Sequence, residues 1–167
     1  MRLCAFLFGI IFYSFFKKNE MKNGNIFLAT AAGTAAMTLF SYLVSREKSK
    51  NFREPRLLGK MVYRAVPAIK RPDAEVAGWI LHWGTGLLFT KGYKVLLDHT
   101  KLESNLPGGI LLGVAAGAVA VIIWKSTFSL HPDPPEIDFK DFYKHLMWAH
   151  IVFTTGALLM LNKKNSQ

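Results

Sequence analysis

The sequence contains a single cysteine, Cys4, among 167 residues. One thiol excludes an intrachain disulfide framework and any metal site built from several cysteines. Catalytic signatures are also missing, because the chain has no P-loop, no dinucleotide fingerprint, no HExxH motif and no nucleophile elbow. We therefore expect a non-enzymatic protein with no catalytic residues, no metal site and no resident cofactor.

Proline is absent from four long apolar segments, each close to the roughly 20 residues that a transmembrane helix needs. Hydrophobic residues make up 51% of the chain, which is high for a soluble domain of this size. The pattern predicts an all-α integral membrane bundle of four transmembrane helices. These segments are span one (Asn25 to Val44), span two (Ala74 to Leu96), span three (Gly108 to Ser126) and span four (Phe142 to Leu161).

The four spans define one domain, residues 21–162, which is followed by a short polar tail, residues 163–167. Residues 1–20 form an N-terminal hydrophobic extension. Its apolar part, "LCAFLFGIIFYSFF", is short for a span, and no small-residue cleavage site follows it. We interpret it as an interfacial segment or as an extension upstream of a natural start at Met21, with a short fifth helix as the third alternative.

Acidic residues are scarce, 11 against 21 lysines and arginines, and the basic residues are concentrated in a linker, residues 46–73. Between Arg46 and Arg71 lie nine basic and two acidic residues. A basic loop between hydrophobic segments faces the cytoplasm. We therefore expect this linker and the loop from Thr127 to Asp141 inside, the loop from Asp98 to Pro107 outside, and no nucleic-acid partner.

Part of the basic linker, "EPRLLGKMVYRAVPAIKRP", has apolar residues at helical spacing with basic residues on another face. This pattern predicts a short amphipathic helix lying on anionic lipid headgroups, with docking on a partner as the alternative. Its apolar residues are Leu57, Leu58, Met61, Val62 and Ala65.

Small residues mark where helices approach closely. Gly109, Gly113 and Gly117 follow one another at four-residue steps in span three, and Gly33 lies on a similar face of span one. Four-residue spacing places small residues on one helical face, where another backbone can approach. We expect spans one and three to pack on each other, with a homodimer or a larger membrane complex as the alternative.

Two histidines lie inside apolar spans, at matching depth. His82 shares a stripe of span two with Glu75 and Thr85, and His150 has Thr154 one turn later in span four. Each histidine is about eight residues from the cytoplasmic end of its span, roughly 12 Å deep at 1.5 Å per residue. Because intramembrane ionisable residues face the bundle interior, we take these five residues as a candidate intramembrane polar site.

Three interpretations of the histidine pair are open. In the first, each neutral imidazole bonds a threonine, a carbonyl or the other histidine and fixes helix register. In the second, the pair handles protons or ions, with Glu75 near the cytoplasmic mouth. In the third, His82 and His150 are the axial ligands of a haem.

The loop "SLHPDPPEIDFKDFYKH" combines three prolines with four acidic residues. Its prolines favour an extended path, and its charge is opposite to that of the basic linker on the same side. We expect electrostatic pairing between the two inner segments. Binding of a divalent cation by His131, Asp133 and Glu136 is the alternative, although their spacing fits no specific metal motif.

The motifs "TAAGTAAMTLFSY", "WILHWGTG", "GGILLGVAAG" followed by Trp124 and "HPDPP", and "WAHIVFTTG" resemble a YagU-type pattern. That group comprises small bacterial inner-membrane proteins with about four helices. The resemblance covers most of Met21 to Leu161 and implies a multi-pass protein of the bacterial cytoplasmic membrane. It implies no chemistry for any residue.

Two functions are consistent with these features. The first is an accessory or structural subunit of the membrane. The second is a small transporter or proton-coupled factor that works through His82 and His150. Transporters often interrupt a span to expose backbone at the substrate site. The absence of proline inside the spans therefore favours the first function.

Overall fold

The computed structural model describes residues 23–162, and in this range the chain is all-α, with five helices and no strand. The N-terminal extension, Cys4 and the polar tail lie outside the described residues. In chain order the helices are α1 (Asn23–Glu47), α2 (Glu54–Ala65), α3 (Arg71–His99), α4 (Leu106–Leu130) and α5 (Phe139–Asn162).

Local sequence signals explain where three of these helices begin. Proline lies in the first turn of α2, α3 and α4, where its missing N–H would have had no intrahelical partner. Asn105 caps α4, since its side-chain oxygen accepts a hydrogen bond of 2.9 Å from the Gly108 N–H. The predicted helices of the four spans and of the basic linker are thus all present, each a few residues longer or shorter than its apolar segment.

Helix α5 is the central element of the bundle. It packs along α1 on one side and along α4 on the other, while α2 folds back onto the start of α3. Helix α3 also contacts α1, but it has a narrow contact with α5 and does not pack along α4. The bundle is therefore closed around α5 and loose between α3 and α4.

The surface of the bundle is apolar to a degree that is unusual for a soluble protein. Among the described residues, 18 hydrophobic and ten polar or charged residues are buried, and 24 large hydrophobic residues are exposed. One strongly exposed residue on each long helix illustrates the outer surface: Leu28, Ile80, Ile122 and Trp148 are each 64% or 65% exposed. By length and composition, the segments Ile26–Glu47 of α1 and Leu106–Leu130 of α4 are able to cross a membrane.

The small face of α4 packs on α5, and the prediction that it packs on span one is wrong. A Cβ at Gly113 would lie 2.6 Å from the Ile151 Cα, and a Cβ at Gly117 would lie 3.1 Å from the Met147 Cα. Gly109 also faces α5, at ordinary contact distance. The small faces of α1 and α4 meet opposite sides of α5, because α5 lies between them.

Gly33 of α1 has the same role on the other side of α5. A Cβ there would lie 2.7 Å from the Phe153 carbonyl oxygen, so the two backbones approach as closely as a glycine allows. The residue was correctly assigned to a packing face, but its partner is α5.

The amphipathic helix of the basic linker is confirmed as α2, although its apolar side is covered by protein. Leu57 and Met61 are buried, at 0% and 4% exposure, whereas Ala65 is exposed. Gly78 of α3 lies directly against α2, since a Cβ there would lie 2.5 Å from the Gly59 nitrogen. Leu57 and Met61 are therefore covered by protein and are not available to lipid.

Candidate functional site: a cavity beside α3

A cavity of about 100 Å³ lies where α3 and α4 fail to pack. This volume is sufficient for several water molecules, each of which needs roughly 10–15 Å³. Both histidines of the candidate intramembrane site border it. Its lining comprises Thr34, Met37, Glu54, Leu58, His82, Thr85, Gly86, Phe89, Ala120, Ile123, Trp124, Thr127, His150 and Phe153.

His82 points into the bundle, as its stripe predicted, and is 6% exposed. Its Nε2 lies 3.1 Å from the Thr38 hydroxyl of α1, and its ring meets the Trp79 ring edge-on at 6.2 Å between centroids. One nitrogen is therefore tied to a neighbouring helix, and the rest of the ring borders the cavity.

His150 borders the same cavity from α5 and is 5% exposed. Its Nδ1 donates to the Leu146 carbonyl oxygen, 2.9 Å away, because a carbonyl can only accept. In the neutral imidazole the hydrogen is therefore on Nδ1, and Nε2 carries the lone pair. Phe89 holds the ring edge-on at 5.3 Å between centroids.

The three remaining residues of the predicted site have separate positions. Glu75 is exposed and does not border the cavity, so its assignment to this site is wrong. Thr85 borders the cavity, but its hydroxyl donates to the Leu81 carbonyl of its own helix at 2.8 Å. Thr154 is fully buried and donates to the Tyr93 hydroxyl at 2.8 Å, which ties α5 to α3.

A buried cluster that the sequence interpretation missed lies at the end of the cavity where α2 begins. Glu54, the first residue of α2, is 1% exposed. Its Oε1 accepts a hydrogen bond of 2.9 Å from the Ser41 hydroxyl, whose oxygen lies 2.9 Å from Nε2 of His145. Since the single hydroxyl hydrogen of Ser41 goes to Glu54, His145 Nε2 is the donor to Ser41.

The ring of His145 is fixed between two phenylalanines. It stacks on Phe40 at 5.3 Å and on Phe52 at 4.8 Å between centroids, with interplanar angles of 5° and 13°. Its Nε2 also lies 3.5 Å from Glu54 Oε1. His145 is 5% exposed and connects α5 to α1 and α2.

Three buried oxygen atoms have no hydrogen-bond partner in the described part of the chain: Thr30 Oγ1, Thr34 Oγ1 and Glu54 Oε2. Two of these residues, Thr34 and Glu54, line the cavity. Buried polar groups without partners are rare in folded proteins and call for an explanation. The cavity therefore combines open space with hydrogen-bonding capacity that the surrounding protein leaves unused.

Opposite charges connect the basic linker with the proline-rich loop between α4 and α5, as expected from the sequence. Lys50 donates to Asp138 at 2.8 Å and also to Asp141, and Arg64 pairs with Asp133 at 3.1 Å. The hydrogen bond to Asp138 raises the pKa of Lys50, and the same bond lowers the pKa of Asp138. These pairs hold the proline-rich loop against the basic linker.

His131 takes part in the same contact rather than in a metal site. Its Nε2 donates to the Met61 carbonyl oxygen at 2.9 Å, and its Nδ1 accepts from the Asp133 N–H at 3.1 Å. Across residues 23–162, no group of three or more His, Cys, Asp or Glu side chains is arranged to hold a metal ion. The loop histidine thus anchors the loop on α2.

Haem ligation receives no support from this geometry. Nε2 of His82 is engaged with Thr38 and would have to leave this hydroxyl to bind a metal ion. The arrangement fits a small polar ligand, water or a proton.

No protein-family model matches this chain, and neither a curated protein nor a solved structure matches it significantly. The resemblance to the YagU-type group accordingly stays a prediction. Function has to be inferred from the bundle and its cavity.

Proposed function

We propose that the chain is a non-enzymatic, multi-pass protein of the bacterial cytoplasmic membrane, in which α1, α3, α4 and α5 all cross the bilayer. The apolar outer surface of the bundle carries this proposal. Large apolar side chains cover the outside of the four long helices, and polar side chains are buried between them. A lipid environment makes both features favourable, because it solvates apolar surface and leaves polar groups to bond one another.

The charge distribution supports an orientation for this bundle. The basic linker and the start of α5 lie at one end, with seven more basic than acidic residues between Arg46 and Arg71. This end faces the cytoplasm, and the segment between α3 and α4 faces the opposite side. The basic residues of the linker then lie beside anionic lipid headgroups.

Cysteine labelling tests the topology. In a Cys4→Ser background, Lys101→Cys should react with a membrane-impermeant maleimide in intact cells. Lys48→Cys and Glu136→Cys should react after permeabilisation, since they lie at the cytoplasmic end. All three residues are exposed in the folded chain, so exposure within the protein does not explain a difference. Equal labelling of all three variants in intact cells would contradict the four-span topology.

For this membrane protein we propose the role of a small transporter or proton-coupled factor that uses His82 and His150. The observation that favours this role is the cavity between α3 and α4, whose largely apolar wall contains two histidines and a buried glutamate. Protein interiors are close-packed, and voids larger than a water molecule are few. Two histidines and a buried glutamate beside such a space are the groups that proton and ion pathways use in membranes.

A proton-flux measurement tests this role. The chain is reconstituted into vesicles that contain a pH-sensitive dye, and a pH gradient is imposed. We expect faster equilibration than in protein-free vesicles, and slower equilibration with His82→Leu or His150→Leu. Trp148→Leu is the control, because Trp148 is exposed on the outer surface. Equilibration at the wild-type rate in both histidine variants would overturn the proposal.

An accessory or structural subunit is the second candidate. It is favoured by the hydrogen bonds that join neighbouring helices, His82 to Thr38 and Thr154 to Tyr93, which fix helix register. In that case His82→Leu and His150→Leu should both lower the amount of folded protein by similar factors. A homodimer or larger membrane complex would be detected as a high-mass species in detergent.

A further inference from the structure

One carboxyl group gives the cavity between α3 and α4 its electrostatic character. Among the described residues that line it, Glu54 is the single acidic side chain, and none is lysine or arginine. Glu54 is 1% exposed, and Ser41 occupies its Oε1. The lining is therefore complementary to a positively charged ligand.

The second oxygen of Glu54 is an unsatisfied acceptor at the wall of the cavity. Glu54 Oε2 is buried and has no hydrogen-bond partner within residues 23–162. A buried acceptor without a donor keeps the full cost of its desolvation, which a bound donor offsets. Bonds between a carboxylate and a charged donor are about twice as strong as neutral ones.

Two more acceptors border the same space. Thr34 Oγ1 is also buried without a hydrogen-bond partner. It lies against Gly86 of α3, where an added Cβ would come within 2.6 Å of that oxygen. His150 has its lone pair on Nε2, because Nδ1 donates to Leu146. An ammonium group has N–H donors and no acceptor, so it can bond the unpaired oxygen of Glu54 and the lone pair of His150.

The remaining walls suit the organic part of a cation. Phe89, Phe153 and Trp124 line the cavity on α3, α5 and α4. Aromatic faces attract cations through their quadrupole and also bury apolar groups. With a volume of about 100 Å³, the space is limited to a small molecule.

We propose that this cavity binds a small organic ammonium ion, with the Glu54 carboxylate as its counter-ion and the aromatic rings around its carbon atoms. The inference rests on the proposed function, since it names the ligand class of the same cavity.

Binding of ethylammonium to the full chain in detergent tests the proposal, by calorimetry and by the shift in unfolding temperature. We expect saturable binding of ethylammonium chloride, and none of ethanol or sodium chloride at equal concentration. Glu54→Gln keeps the shape of the side chain and should weaken binding by about tenfold or more. Glu75→Gln, at an exposed glutamate of α3, should leave binding unchanged.

Two further variants keep the test decisive if Glu54→Gln does not fold. Thr34→Val removes the free hydroxyl and retains its shape, and Gly86→Ala fills the space beside it. Both should weaken ethylammonium binding several-fold in folded protein. Binding that is equal in the wild type and in all three site variants would overturn the proposal, as would equal binding of ethanol.

The outcome is separable from that of the proposed function. Proton movement that depends on His82, without ethylammonium binding, would overturn the ligand assignment and leave the proton-coupled role intact. Ethylammonium binding that depends on Glu54, without proton movement, would support the ligand assignment and overturn the proton-coupled role.

Discussion

The two sides of α4 show opposite solutions to helix packing. Towards α5, glycines at four-residue steps let the backbones meet, and a Cβ at Gly113 would lie 2.6 Å from the Ile151 Cα. Towards α3, the bulky side chains of Ile123 and Trp124 face a space of about 100 Å³. The two cases differ in residue size. Small residues let two helix backbones approach closely, whereas large side chains keep them apart.

The open side also contains the ionisable groups. Its cavity is bordered by His82, His150 and Glu54, whereas the glycines of the seam between α4 and α5 meet Met147, Ile151 and Thr155. A seam closed by backbone contact stabilises the bundle, and an open side with unpaired acceptors can bind a ligand. Substitutions on the two sides should therefore affect different properties.

The largest effect on stability is expected where α4 packs on α5. Gly113→Leu would force α4 away from α5, because the new Cβ overlaps the Ile151 backbone. Such overpacking should destabilise the fold by about 3 kcal/mol or more and abolish a monodisperse peak in detergent size-exclusion chromatography. Gly84→Leu is the matched control, since nothing lies within 4 Å of a Cβ there. Equal loss of folded protein in both variants would contradict the close seam.

An intermediate effect is expected at the buried cluster of Ser41, Glu54 and His145. Ser41→Ala removes the hydroxyl that bridges Glu54 and His145 and leaves two buried polar groups short of a partner. The expected cost is about 1–3 kcal/mol, measured as a lower unfolding temperature. Ser129→Ala, at an exposed serine of α4, should change stability by less than about 0.5 kcal/mol. Identical melting of both variants would exclude a bridging role for Ser41.

The smallest effect is expected at the surface, where Lys50 joins the proline-rich loop to the basic linker. Lys50→Met removes both bonds, to Asp138 and Asp141. Because the pKa of Asp138 is lowered in the folded chain, its contribution is present above about pH 4 and is lost as the pH falls through the lowered value. The pKa of Lys50 is raised, so its contribution is present below about pH 10.4 and is lost above its raised value.

The measurement for this pair is the difference in unfolding temperature between wild type and Lys50→Met as a function of pH. The difference should be small and constant between those limits, and it should shrink below about pH 4. High salt should reduce it too, because the groups are partly exposed. Lys60→Met, at an exposed lysine of α2, is the control. A difference that grows on acidification would contradict the assignment.

Some residues of the candidate site could be predicted from the sequence, and others could not. His82 and His150 stand out in apolar spans, and their equal depth followed from counting residues along two helices. Both border the cavity. Glu54 gave no such signal, because it lies in a charged linker where an acidic residue is ordinary. Its burial arises from α2 folding back onto α3, which the linker sequence does not specify.

Packing partners were the least predictable feature. The stripe of Gly109, Gly113 and Gly117 identified a contact face, but any of the other helices could have packed against it. The structure selects α5, since α5 lies between α1 and α4 and meets both small faces. The sequence therefore reveals which faces are small and not which helix lies opposite.

Local rules determined much of this protein from its sequence alone. Apolar run lengths and first-turn prolines set the helices, and the opposite charges of the two inner segments set their pairing. The tertiary structure decided what depends on distant residues meeting. Ser41, Glu54 and His145 are separated by 13 and 91 residues along the chain, and they form one network because α1, α2 and α5 converge at one end of the bundle. The cavity exists for the same kind of reason, since it is the space that helix packing leaves open.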